Sequence, residues 1–165
     1  MSLMTYEEAR PWAKAIRDEV ASRRMPPWGA VSGVGDFVGD PSLSTPEIDM
    51  LIAWIEGGAP EGDPVYLPHR VPDSLARSSA IPQHARELTV THATLLQNSA
   101  TLVGLRPEGA SEAWAVLPDH SVRRLIWMRD YRKEWARTFV LREPEKFPAG
   151  TQIHADGTGV VLLLR

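Results

Sequence analysis

Few residues in this chain have a type and setting that could do chemistry, and a methionine is among them. Met25 opens the run Met25-Pro26-Pro27-Trp28, after an apolar-periodic segment and before a glycine-rich one. A thioether is a neutral, soft metal ligand that must be held at one point to serve. Two successive prolines reduce the freedom such a loop loses on ordering. The same residues also suit plain packing, since a Met and a Trp beside apolar helices are commonly core. The five histidines, His69, His84, His92, His120 and His154, are scattered, and no two stand at i,i+2. That spacing would put two imidazoles on one strand face. Cysteine is absent, which excludes disulfides, thiolate sites, cysteine nucleophiles and thioether attachment of haem within these residues.

Other constellations are thin. There is no Gly-x-Gly-x-x-Gly, phosphate-binding loop, His-Glu-x-x-His, EF-hand loop or Gly-x-Ser-x-Gly. Gly33-Val34-Gly35 is a lone fragment. His92 and His154 could meet across a sheet, or each be simply hydrogen-bonded. Asp119-His120 reads as a solvated turn. Arg123, Arg124, Arg129, Arg132, Lys133 and Arg137 interleave with Trp127, Tyr131 and Trp135, a pattern also found on nucleic-acid surfaces. Asp130, Glu134 and Glu143 dilute that charge, and the expectation is no nucleic-acid partner. The cluster instead reads as a solvated strand face, or as a surface that docks an acidic module.

The elements that must carry these residues fall into two parts. The 165 residues suit one ordinary domain or two small ones. Apolar residues make up 43% and charged residues 24%, which argues against wholesale disorder. The net charge of −3 gives no strong field to recruit nucleic acid or anionic membrane. No stretch is long and apolar enough for a transmembrane helix, and MSLMTYEEAR shows no signal-peptide pattern. Residues 1–62 carry 5 Lys/Arg and 10 Asp/Glu, whereas residues 63–165 carry 13 and 11. The two halves are therefore complementary in charge. Gly57, Gly58, Pro60, Gly62, Pro64, Pro68, Pro72 and Pro82 punctuate the boundary. The reading is a helical segment over 1–62, a linker over 63–84 and a β-sandwich over 85–165.

The helical part carries explicit signals. Thr5 and Glu8 fit a capping box. Ala9, Trp12, Ala13, Ile16 and Val20 recur on one helical face. Pro11 either kinks that helix or marks its true first turn. Arg23 and Arg24 suit its C-terminal dipole end, and Pro26 turns Met25 out of the helix. A loop from Gly29 to Gly39 follows. Ser44 and Glu47 box a second helix, with Pro46 in its first turn, Ile48, Leu51, Ile52 and Ile55 as its stripe, and Gly57-Gly58 as its stop.

The remainder reads as strands: an alternating run from Leu88 to Leu96, then 101–105, 112–117, 122–128, 135–142, 151–155 and 159–165. Short strands with turn signals between them predict an antiparallel sandwich, so the fold class is α+β. Val160 to Leu164 is apolar on both faces, so it is either a covered central strand or an edge awaiting a partner.

Two resemblances sharpen this reading. TYEEARPWAKAIRDEVASRRMPPWGA, followed by LSTPEIDMLIAWIEGGAPEGDP, resembles the distal half of a bacterial c-type cytochrome domain of multidomain secreted proteins. In that family a Cys-x-x-Cys-His motif upstream attaches haem and supplies the proximal ligand. The resemblance implies Met25 as the distal ligand and metal-binding residue. Trp12, Ile16, Pro26, Trp28 and Ile52 then line the haem, with Leu51 and Ile55 adding to the apolar wall. It implies haem c only if the upstream motif exists, and no cofactor for these residues alone.

The second part, WMRDYRKEWARTFVLREPEKFPAGTQIHADG, resembles the C-terminal, jelly-roll-like sandwich of copper type II monooxygenases of the peptidylglycine-hydroxylating kind. Trp135, Phe139, Glu143-Pro144 and Phe147-Pro148-Ala149-Gly150-Thr151 carry that likeness, while Asp130-Tyr131 reverses the family's Tyr-Asp order. The family's His-x-His copper pair does not carry over, because Leu102 and Gly104 stand at the matching positions.

The expectation is a piece of a periplasmic or secreted redox protein whose true start lies upstream. It would be an electron carrier rather than an enzyme, with a redox partner protein or a neighbouring domain as its partner. The rival expectation is a haem-less structural or interaction module with a non-catalytic sandwich.

Overall fold

Cap chemistry decides where the helices begin. In the computed structural model, residues 3–66 and 84–165 are described. Helix α1 (Tyr6–Ala9) starts on the Thr5–Glu8 capping box. Pro11 then sits at the start of a 3-10 turn, Arg10–Trp12, and helix α2 (Ala13–Ala21) follows. Pro11 thus lies in the opening turn that leads directly into α2, the second of the two places its pattern allows. It occupies the early-turn position where its missing N–H and its ring are tolerated. Helix α3 (Thr45–Glu56) starts on the Ser44–Glu47 box with Pro46 in its first turn, and Gly57 and Gly58 end it. These helices form one compact unit, residues 3–28 with 41–66. Within it α2 packs on α3. The Tyr6 hydroxyl donates to the Ala59 carbonyl at 2.9 Å, and Trp54 Nε1 donates to the Pro60 carbonyl at 2.9 Å.

The second unit comprises residues 29–40 and 84–165. It holds two antiparallel four-stranded sheets. One has the order β1 (Arg86–Val90), β8 (Val160–Leu164), β3 (Ala100–Pro107), β6 (Phe139–Phe147). The other has the order β2 (Ala93–Leu95), β7 (Gln152–Ala155), β4 (Glu112–Val116), β5 (Val122–Trp127). The fold is α+β, with a sandwich-like pair of sheets.

Strand β8 resolves its own ambiguity: it is central, all five residues are buried, and β1 and β3 flank it. The alternation from Leu88 to Leu96 is not one strand. The chain leaves one sheet after Val90 and enters the other at Ala93, and a corner of two residues preserves the period. Strand β6 begins at Phe139 rather than Trp135, because Lys133–Trp135 form a 3-10 turn. It runs on through Pro144, which an edge strand tolerates because that N–H need not join a ladder.

Residues 29–40 form a strap along the two edge strands β5 and β6. Ala30 bridges Met128, just past β5, and the Val31 N–H donates to the Trp127 carbonyl at 2.7 Å. Phe37 bridges Leu141, and the Val38 N–H donates to the Val140 carbonyl at 2.9 Å. The Phe37 ring lies 5.2 Å from that of Phe139. The Asp36 carboxylate pairs with Arg142 at 3.1 Å. The strap thereby occupies backbone groups that an edge would leave open. Gly35, at φ +74°, lets it pass where a Cβ would lie 2.9 Å from the Leu125 carbonyl oxygen.

Candidate functional site

Met25 follows the end of α2. Ser22 closes the helix, and its hydroxyl donates to the Asp18 carbonyl at 2.6 Å. Arg23 then takes the left-handed conformation, φ +55°, where helices commonly turn off. The N–H groups of Arg24 and Met25 both donate to the Glu19 carbonyl, at 2.9 and 3.2 Å. The Arg24 guanidinium grips the Glu19 carboxylate with two bonds of 2.8 Å. That grip raises the Arg24 pKa above its usual value, first through the side-chain hydrogen bond and then through the charge of Glu19. Arg23 reaches the start of α3, donating to Thr45 Oγ1 at 3.1 Å and to the Leu43 carbonyl at 3.4 Å. The Met25–Pro26 peptide is cis. The Trp28 N–H donates back to the Pro26 carbonyl at 2.9 Å.

The residues expected to line haem divide by exposure. Met25 is 50% exposed and Trp12 48%, far more than a core residue would be. Ile16, Pro26 and Ile52 are half-buried, as are Leu51 and Ile55. Trp28 is 4% exposed. Ile16 lies one turn after Trp12 on α2, and Ile52 lies on α3, which packs against α2. The helical unit therefore has a half-exposed thioether on a tied loop, and neighbouring helices with incompletely covered apolar residues. This suits the soft, apolar half of a Met/His haem environment. The other half is not among these residues: the first histidine in the sequence is His69, which lies outside the described residues, and there is no cysteine.

The sandwich unit places its histidines apart from any metal grouping. Among the described residues, no set of three His, Cys, Asp or Glu side chains is arranged to hold a metal ion. His154 stacks on Trp114 across β7 and β4, with centroids 5.3 Å apart and planes at 5°. His92 lies in the crossover between sheets, where its carbonyl accepts from the Ala155 N–H at 2.9 Å. His120 occupies a turn at φ +65°, beside the Asp119 carboxylate that binds Ser121. The Asp119 carboxyl is held below its usual range, first by the Ser121 hydroxyl. Position 104 has no room for an imidazole, since a Cβ there would lie 2.8 Å from the Phe139 carbonyl oxygen.

The basic cluster is partly paired. Arg124 meets Glu112 at 3.1 Å, Arg132 meets Asp130 at 3.5 Å, and Arg132 lies 4.9 Å over the Trp135 ring. A cleft of about 320 Å³ opens beside the strap, between Asp36, Leu102, Arg124, Leu141, Glu143 and Glu145. Its lining comes from four segments spread from Gly35 to Glu145, so no local signal announces it. The role of Arg23 and Arg24 was also hidden. As sequence they looked like companions of a helix dipole, and the sole hint was their position directly before Met25. No protein-family model matches this sequence, no curated protein matches it, and no solved structure matches its fold.

Proposed function

We propose that the helical unit is the distal part of a c-type cytochrome domain, in a periplasmic or secreted electron-transfer protein, and that Met25 is its distal haem ligand. One observation carries the reading: the half-exposed Met25 thioether stands on a loop tied to both helices. In this reading Trp12, Ile16, Pro26, Trp28 and Ile52 keep water from the group, and Met25 donates its sulfur. Haem held by Met and His would supply a one-electron couple of raised potential. The proximal histidine and the two attachment thiols come from outside these residues. The sandwich, read as jelly-roll-like, serves as a docking body for a redox partner or neighbouring domain and supplies no catalytic residue.

The visible spectrum and intact mass of the protein isolated from its native host test this. A heavier polypeptide with covalent haem and low-spin bands is expected. A colourless protein of 18.3 kDa would overturn it.

A second reading draws on a different surface. The outer face of the sheet β2-β7-β4-β5 carries Leu95, Trp114, Val116, Val122, Trp127 and His154. Val122 is 58% exposed. On this reading the chain is a haem-less interaction module, and the colourless outcome would favour it.

A further inference from the structure

We infer that Arg23 and Arg24 are positioning residues that hold the backbone at Met25, the residue that carries the thioether, in place before any iron arrives. This rests on the haem reading above. The two arginines tie one loop to two helices. Arg24 binds the Glu19 carboxylate with two bonds of 2.8 Å, while the Glu19 carbonyl takes the N–H groups of Arg24 and Met25. Both ends of one α2 residue thus hold the residue before Met25 and Met25 itself. Arg23 reaches the other way, to Leu43 and Thr45 at the start of α3.

Stability does not account for this arrangement. Solvent-exposed ion pairs contribute little to folding, and both partners of the Arg24–Glu19 pair are about two-fifths exposed. A glycine would close α2 in the left-handed conformation more easily than Arg23 does. What the two guanidinium groups share is the residue that follows them. Fixing that residue's backbone in advance removes part of the ordering cost of ligation. Residues that orient a metal ligand from behind it commonly affect metal affinity about 10- to 100-fold.

The test uses the full chain and a haem peptide bearing its own Cys-x-x-Cys-His, which supplies the missing proximal side. Two readouts are followed: haem-peptide binding by the Soret band, and methionine ligation by the weak far-red methionine-to-iron band. Wild type is expected to show both, and Met25→Ala only the first. Arg23→Ala with Arg24→Ala should weaken methionine ligation about 10- to 100-fold, with circular dichroism unchanged. The charge-swapped pair, Glu19→Arg with Arg24→Glu, should recover much of the Arg24 contribution. If the double variant loses helix, Arg24→Lys carries the same test, because it keeps the charge but loses the two-pronged grip. A far-red band of wild-type strength in the arginine variants would overturn the positioning role and leave the haem reading standing. A wild-type spectrum identical to that of Met25→Ala would overturn the haem reading, and this inference with it.

Discussion

The two units solve the problem of burial differently. In the sandwich unit Val90, Leu102, Leu105, Ile126, Ile153, Leu162 and their neighbours are fully buried. In the helical unit the buried apolar residues, among those described, are Val20, Trp28, Ile48 and Ala59. Its remaining helix-face residues, Trp12, Ile16, Leu51, Ile52 and Ile55, stay half-buried or exposed. One unit has closed its core with its own side chains. The other keeps Trp12 and Met25 about half exposed and Ile16, Ile52 and Ile55 only half-buried, a pattern the proposed bound haem would account for.

The largest test of this contrast lies in the strap. Phe37 is 2% exposed and lies against Phe139, although the segments before and after the strap, 3–28 and 41–66, belong to the helical unit. Phe37→Ala should destabilise the sandwich by about 3–5 kcal/mol in urea unfolding. Ile52→Ala should cost the helical unit well under half of that, because its side chain is only half out of water. Equal losses would erase the contrast.

A smaller effect sharpens the account of the sandwich. The Asp156 carboxylate accepts from the Ser111 hydroxyl, from the Ser111 N–H at 2.7 Å and from the Glu112 N–H at 2.8 Å, joining two turns. Burial pushes its carboxyl upward, but the hydrogen bonds from Ser111 and Glu112 outweigh this and hold it below the usual range. A depressed folded value means the stabilisation is complete above the unfolded-state value, about 3.9, and is lost as pH falls through the folded value. Asp156→Ala should cost about 1–3 kcal/mol at neutral pH. The difference between wild type and Asp156→Asn should narrow as pH is taken below about 4. A gap that is constant with pH would contradict the assignment. In the helical unit, Ser44→Ala should cost about 1 kcal/mol through its cap, read as a lowered thermal midpoint.

What could be read in advance follows from the range of each interaction. The boxes at Thr5–Glu8 and Ser44–Glu47 span three residues, and both stand where the sequence put them. Gly57-Gly58 and the doubly apolar Val160–Leu164 are local in the same sense. The strap was not visible: residues 29–40 read as a loop between helices, and their partners lie about a hundred residues away at 127–129 and 139–142. The corner at Thr91-His92 was hidden because alternation continued across it. At the candidate site, Met25 was legible as a residue type. The arginine ties of its loop were not: the Arg23 tie depends on where α3 begins in space, and the Arg24–Glu19 pair on how the chain turns after α2.

The central claim is that Met25 is offered to an iron rather than packed for stability. The most direct test compares wild type with Met25→Ala in two experiments, urea unfolding and titration with the Cys-x-x-Cys-His haem peptide. A side chain that is half exposed should cost little stability when truncated. The account predicts nearly coincident unfolding curves, together with loss of the far-red methionine-to-iron band in the variant alone. A marked loss of stability in Met25→Ala, with indistinguishable haem-peptide spectra for the two proteins, would contradict it.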